Sequence, residues 1–207
     1  HKGLYSGHND HNYFEIAHSI KRLNEICRGK KLYTFVDNHD VERIYSKLQN
    51  KAHLPLVTIL LYTIDGIPSV YYGSEFGMEG KKEQGSDWNL RPCLELDELQ
   101  KDQKKMEQME LCSRLGQLKK EYSELTQGRY QEMMLTNRQF AFGRILADTA
   151  VVTALNCDDQ PAVLQIQSPV QLHGSKDLLE MADRVEVQGD TIRITLPANT
   201  GTVLHLS

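Results

Sequence analysis

An apolar run, Leu32 to Val36, leads straight into Asp37-Asn38-His39-Asp40, and no other stretch of the chain narrows its fold so far. A short apolar run of this kind is the pattern of a strand buried on both faces, as the strands of parallel sheets are. Two carboxylates, an amide and an imidazole behind such a strand are costly to bury unless each finds a partner, so the strand end is expected to open on a cleft. The neighbouring segments agree. Asn12 and Glu15 read as a capping box, and Tyr13, Ile16, Ala17, Ile20, Leu23 and Cys27 then recur at helical spacing until Gly29. Leu54 to Tyr62 is apolar almost all round, with Pro55 where a first helical turn tolerates it, and predicts a buried helix. Ile67 to Tyr72, bounded by Gly66 and Gly73, predicts a second parallel strand, so helix, strand, helix, strand forms a βα repeat.

From Asp97 to about Leu125, apolar residues fall mostly three or four apart with Lys and Glu between them, which predicts one long surface helix. Beyond it the period changes to two, in Val163–Ile166, Val185–Val187, Thr191–Leu196 and Thr202–Leu206. Gln188-Gly189-Asp190 and Asp158-Asp159-Gln160-Pro161 are turn signals between runs, so the C-terminal part is expected to be an antiparallel sandwich.

Composition excludes several classes. Hydrophobic residues make up 40% and charged residues 25% of the chain, and no apolar stretch approaches the ~18 residues of a membrane span. Lys plus Arg number 24 against 28 Asp plus Glu, and without a basic stripe there is no footprint for a nucleic-acid backbone. Cys27, Cys93, Cys112 and Cys157 lie far apart with no secretory leader in view, which predicts reduced thiols in a cytoplasmic protein, although an upstream leader would be invisible in this sequence.

Phe35-Val36-Asp37-Asn38-His39-Asp40 resembles a signature of the α-amylase superfamily, glycoside hydrolase family 13, at the end of the seventh strand of its barrel. Gly66-Ile67-Pro68-Ser69-Val70-Tyr71-Tyr72-Gly73-Ser74-Glu75 is similar to that family's eighth strand and following loop, in the expected order. A complete (β/α)8 barrel needs ~250 residues, and this chain has 207. The resemblance therefore implies an α/β plus all-β chain: residues 1–124 as the C-terminal portion of a catalytic TIM barrel, holding its seventh and eighth strands, and 125–207 as an antiparallel β-sandwich. A start at His1 rather than Met fits a trimmed piece of a longer chain.

The resemblance also implies roles. Asp40 matches the family's transition-state-stabilising acid, and His39 the imidazole that donates to a hydroxyl of the same sugar. An ionised carboxylate beside a neutral imidazole accepts from one hydroxyl and donates to another, which suits a polyol. Asp37 and Asn38 are assigned to positioning that pair. Ser86-Asp87-Trp88-Asn89-Leu90-Arg91-Pro92 looks like a subsite of relatives active on cyclic or branched maltodextrins, the neopullulanase-like enzymes, with Asp87 and Arg91 at the matching separation but without the Asp-Pro start and double arginine. Trp88, the only tryptophan, either stacks on a pyranose face or packs under a loop. Tyr72 is a stacking candidate, Tyr71 and Tyr72 otherwise serving as strand-end core aromatics, and Glu75 reads as a rim carboxylate or a solvated loop residue.

These matches imply a fragment of a retaining α-glucan hydrolase or glucanotransferase. In the family the nucleophile and the acid/base carboxyl sit on the fourth and fifth strands, so the chain alone is expected to be inactive. No cofactor is expected, with calcium left open for the parent enzyme. The expected partner is an α-glucan, neither nucleic acid nor membrane, with self-association through open barrel edges. The alternative is a non-catalytic carbohydrate-binding or structural module. A third class, a metal phosphohydrolase using His39-Asp40 with His8 and His11, fits poorly, because that architecture is all-helical with its HD pair on a helix, whereas here an apolar strand-like run leads into the pair; His8-Asn9-Asp10-His11 by itself lacks a third well-spaced ligand, and no metal site is expected.

Overall fold

A computed structural model describes residues 12–207. Helix α1, Phe14–Ile26, starts where Asn12 Oδ1 accepts a hydrogen bond from the Phe14 amide at 3.1 Å. It buries Ala17 and Ile20, and the helix stops before Gly29, which lies at φ +74°. Strands β1, Tyr33–Phe35, and β2, Ile67–Ser69, pair in parallel with Tyr33 opposite Ile67 and Phe35 opposite Ser69. Both are shorter than expected. The chain leaves β1 because the Asp37 side chain turns back to receive the Ile44 amide, and it leaves β2 through a turn at Gly73, φ +87°.

Between the strands lie α2, Ile44–Lys47, and α3, Leu54–Thr63. Helix α3 carries Pro55 in its first turn and buries residues on all sides, including Leu56, Ile59 and Leu60. The single long helix expected after β2 is instead three: α4, Leu96–Leu99; α5, Gln103–Glu121; and α6, Glu124–Gln127. Asp102 makes the first break, since its carboxylate accepts from the Lys104 and Lys105 amides and its own backbone is extended. An aspartate that can satisfy the orphan donors of a helix start competes with helix continuation through its own position.

Ten strands occur among the described residues, eight of them C-terminal to the helices. Strands β3 (Arg129–Leu135), β4 (Gln139–Leu146), β5 (Thr149–Asn156), β10 (Thr200–Leu206) and β7 (Ser175–Asp177) form an antiparallel sheet in that order. Strands β6 (Ala162–Gln167), β9 (Thr191–Leu196) and β8 (Arg184–Gln188) form a second, and Gly189-Asp190 makes the two-residue β8–β9 turn. The large sheet is buried on both faces. Phe140, Phe142, Val151, Leu155 and Val203 pack against Tyr13, Ala17 and the α3 and α5 side chains, while Ala141, Val152, Ala154 and Leu204 face Leu164, Ile192 and Ile194 of the small sheet. Helices, large sheet and small sheet are thus three layers around two apolar cores. Helix α3 and the large sheet pack closely at Gly201 on β10, where an added Cβ would lie 2.6 Å from Leu155 Cδ2 and 3.1 Å from Leu56 Cδ2.

Polar side chains stitch helices to sheet. Arg144 of β4, buried, donates to Asp65 Oδ1 at 3.1 Å in the loop before β2. Lys119 of α5 donates to the Ile64 carbonyl at 2.9 Å. Burial, aided by the Arg144 charge, pulls the Lys119 ammonium down from 10.5 to about 8. The unfolded chain keeps that proton until 10.5 while the fold releases it near 8, so this group makes the fold more stable as pH rises across that window. Cys112 acts oppositely: burial, then the Glu75 charge, pushes its thiol from 9.0 to about 12, and the stability it contributes below pH 9 is lost as pH climbs toward 12. Comparing wild type with Lys119→Met cancels the cysteine effect. The difference in unfolding free energy, wild type minus variant, is expected to grow between pH 8 and 10 in urea titrations; a flat difference would contradict the placement of Lys119.

Candidate active site

The four polar residues after β1 divide by depth. Asp37 is 1% exposed, and its Oδ2 accepts from the Ile44 amide and from Ser74 Oγ, both at 2.8 Å. Its Oδ1 is buried with no hydrogen-bond partner among the described residues. Asn38 closes a local turn, its Oδ1 accepting from the Asp40 amide at 2.9 Å. His39 and Asp40 stand in the open, Nε2 and Oδ2 3.3 Å apart. Asp37 and Asn38 thus shape the loop, while His39 and Asp40 face solvent.

The loop after β2 arrives beside them. Tyr71 and Tyr72 meet edge to face at 4.8 Å, with the His39 ring tilted 52° to that of Tyr71 at 6.4 Å, and Tyr72 donates its hydroxyl to the Pro92 carbonyl at 3.0 Å. Both tyrosines are partly exposed rather than core aromatics. Asp87 and Arg91, on a third segment, join the same cluster: Arg91 Nη2 is 3.8 Å from Asp40 Oδ1 and 3.7 Å from Asp87 Oδ2. Trp88 is 82% exposed beside them, which removes the alternative of packing under a loop. All the expected contact residues, His39, Asp40, Tyr72, Asp87, Trp88 and Arg91, therefore belong to one surface built from three segments.

Three features were not anticipated. Lys82 donates to the Asp40 carbonyl at 3.0 Å and lies 3.8 Å from Asp87 Oδ1, adding a second cation to the cluster. Arg43 is fully buried, donating from Nη1 to the Tyr72 carbonyl at 2.7 Å and from Nη2 to the Leu90 carbonyl at 3.0 Å. Glu75, of intermediate exposure, keeps its Oε2 buried without a hydrogen-bond partner among the described residues, and its charge helps raise the Cys112 thiol. Sequence carried one missed signal: Val41-Glu42-Arg43 continues the polar cluster directly, and a cation three residues past a site carboxylate merits the same scrutiny. His8 and His11 lie outside the described residues, among which no three His, Cys, Asp or Glu side chains gather as a metal set.

Chemically, the surface offers carboxylates and an imidazole for hydroxyl groups, two cations, and aromatic faces for C–H surfaces, the inventory that recognises a neutral polyol. Because Asp37 holds two buried donors, Asp37→Ala strands both and is expected to lose about 3 kcal/mol or more of stability, at ~1–3 kcal/mol per unsatisfied group. Exposed Asp40→Ala is expected to move stability by no more than about 0.5 kcal/mol. Chemical denaturation of the two variants side by side checks the contrast, and equal losses would refute it.

Residues 7–128 match the family model described as "Alpha amylase, catalytic domain". A cyclomaltodextrinase from Thermoanaerobacter pseudethanolicus is 26% identical over 156 residues, covering 75% of this chain and 25% of the relative. A cyclomaltodextrin glucanotransferase from Bacillus sp. (strain 1-1) is 25% identical over 185 residues, covering 89% of this chain and 24% of the relative. The chain thus spans about a quarter of the length of these curated relatives. Among solved structures, CldA, a cyclomaltodextrin glucanotransferase with a three-domain ABC distribution, superposes with a TM-score of 0.79 at 22% identity, over 94% of this chain and 40% of that one. The debranching enzyme from Nostoc punctiforme in its native form gives 0.74 at 22% identity, over 91% and 39%. At such identity the structural likeness establishes the fold.

Proposed function

The chain belongs to the α-amylase catalytic-domain family, and from that premise we propose that it is the C-terminal part of an enzyme that hydrolyses or transfers α-glucosidic bonds of maltodextrin-type glucans by a retaining route. One observation carries the reading: His39 and Asp40, Tyr72, and Asp87, Trp88 and Arg91 come from three separated segments and meet on one open surface beyond the ends of two parallel strands. In this reading β1 and β2 are the seventh and eighth barrel strands, whose C-terminal ends are where such barrels place their sites. Asp40 accepts from the hydroxyls of a bound glucose unit and stabilises the ring as it distorts toward an oxocarbenium ion, while His39 donates to a neighbouring hydroxyl. Asp87, Arg91 and Trp88 hold the adjoining unit, Trp88 through its exposed indole face, as the names of the cyclomaltodextrin-active relatives also suggest.

A retaining hydrolysis needs a nucleophile and an acid/base carboxyl about 5 Å apart on either side of the scissile bond. We assign both to the remainder of the enzyme. The second reading, a non-catalytic sugar-binding module, draws on the 82% exposure of Trp88, since such an indole binds a sugar face without any acid/base chemistry. The 207-residue chain is expected to bind maltoheptaose in isothermal titration, with the heat lost in Asp40→Ala and Trp88→Ala, and to release no reducing sugar from maltodextrin. Turnover by the purified chain would overturn the division of labour, and absence of binding by the wild type would overturn the sugar surface.

The open strand pair has its own consequence. Tyr33, Phe35 and Ile67 are exposed on β1 and β2, which among the described strands pair only with each other. Unpaired edges with apolar faces recruit partners. The chain alone is expected to self-associate in sedimentation velocity, with Tyr33→Lys shifting it toward monomer; a wild-type monomer at all concentrations would refute this.

A further inference from the structure

We infer that Arg43 is the positioning residue that sets the spacing between the loops of this surface, an inference that rests on the sugar-binding reading above. Its backbone amide donates to the Gly80 carbonyl at 3.0 Å, tying α2 to the loop that carries Lys82. Its Nη1 holds the Tyr72 carbonyl and, at 3.2 Å, Ser74 Oγ; its Nη2 holds Leu90, the residue before Arg91 and two after Trp88. The guanidinium carbon lies 4.5 Å from the Tyr71 ring centre and 5.3 Å from that of Tyr72, so the tyrosine pair rests on it as well. At Gly80 an added Cβ would come 2.5 Å from the Asn89 carbonyl and 3.2 Å from the Arg43 stem, so the third loop fits only against this side chain. One planar group, carried on the segment of His39 and Asp40, thereby touches the other two segments that supply contact residues, while itself facing no solvent.

Charge pairing is not what keeps it there. No carboxylate lies within ion-pair distance among the described residues; the nearest compensation is Asp37, reached through Ser74 Oγ, which accepts from Arg43 and donates to Asp37 Oδ2. Its Nε has no hydrogen-bond partner among the described residues. An apolar side chain in its place would spare the cost of desolvating a cation but would strand the Tyr72 and Leu90 carbonyls. What an apolar side chain lacks is a rigid fork of donors in fixed directions, able to hold carbonyls of two irregular loops at one separation. Lysine, a point charge on a flexible stem, keeps the charge and loses the fork.

The tests use the whole 207-residue chain. Trp88, as the only tryptophan, reports on the loop that Arg43 holds. Arg43→Lys is expected to leave far-UV circular dichroism unchanged, to lower the fluorescence anisotropy of Trp88, and to weaken maltoheptaose affinity by about tenfold, equivalent to ~1.4 kcal/mol. Methylguanidine added to Arg43→Ala is expected to restore part of both signals, a rescue that a merely structural loss would not show. Unchanged anisotropy and affinity in a folded Arg43→Lys would overturn the inference. Where no Arg43 variant folds, nitrogen NMR of the wild type decides: a pinned guanidinium gives separate, slowly exchanging Nη signals, and one averaged signal refutes it. If the wild type binds no sugar yet anisotropy falls in Arg43→Lys, the sugar reading fails while the positioning role stands.

Discussion

The chain of buried hydrogen bonds from the Ile44 amide through Asp37 and Ser74 to Arg43 is the constraint on which the upper part of the molecule depends. Neither β1 nor β2 is longer than three residues, and two such strands cannot by themselves dictate the path of the loops beyond them. The loops are shaped instead by polar groups that have no water to turn to. Once Asp37 leaves solvent, its oxygens demand donors, and the nearest are the start of α2 and the turn after β2. The two donors that Asp37 Oδ2 receives therefore fix both loops, and Arg43, which immediately precedes Ile44 at the start of α2, is carried under the tyrosines as a consequence.

The lower part obeys a different rule. Its large sheet has helices on one face and a smaller sheet on the other, so both faces of β4 and β5 are removed from water. Apolar burial is non-directional, and it is the register of antiparallel pairing, Phe140 opposite Leu155 and Ala141 opposite Ala154, that assigns large side chains to the helical face and small ones to the sheet face. Helix α3 belongs to the same core as Phe140 and Val203, which means that the βα unit and the sheet share one interior. The buried pair of Arg144 with Asp65 and the Lys119 bond to Ile64 then orient what the apolar contacts merely hold together.

These two rules explain what could be seen in the sequence. Asp37 to Asp40 and Asp87 to Arg91 were legible because their chemistry is local: residue types at short spacing beside a strand or in a loop. Strands β6, β8 and β9 were legible in part because alternation survives on the smaller sheet, and Thr202–Leu206 marked β10 although it lies inside the large one. Strands β4 and β5 were not, since a strand buried on both faces reads as a featureless apolar run with no period to find. Arg43 was hidden for the opposite reason. Beside Glu42 it has the appearance of a solvated charge, and its acceptors, Tyr72 and Leu90, are 29 and 47 residues away. The inward turn of Glu75 has no sequence signal at all. The break before α5 did have one, an aspartate preceding helix formers, but helical periodicity on either side of Asp102 masks it.

The contrast in depth also bears on how the surface can work. Asp40, Asp87, Arg91 and Lys82 neutralise one another at 3.7–3.8 Å across solvent-exposed side chains. Pairs of that kind contribute ~0–1 kcal/mol each and weaken further in salt. A ligand hydroxyl that displaces one of them meets little resistance, yet the side chains stay near their places because the backbone beneath is held by buried bonds. A surface whose outer charges are loosely paired and whose inner scaffold is held by buried hydrogen bonds can exchange partners without reorganising. Reversing the arrangement, with Asp40 locked in a dry ion pair and the loop scaffold exposed, would make every binding event pay first for desolvating a charge pair and then for ordering a loop. The division of one four-residue segment into a buried Asp37 and an open Asp40 thus separates the group that fixes the loop from the group left free to meet a ligand.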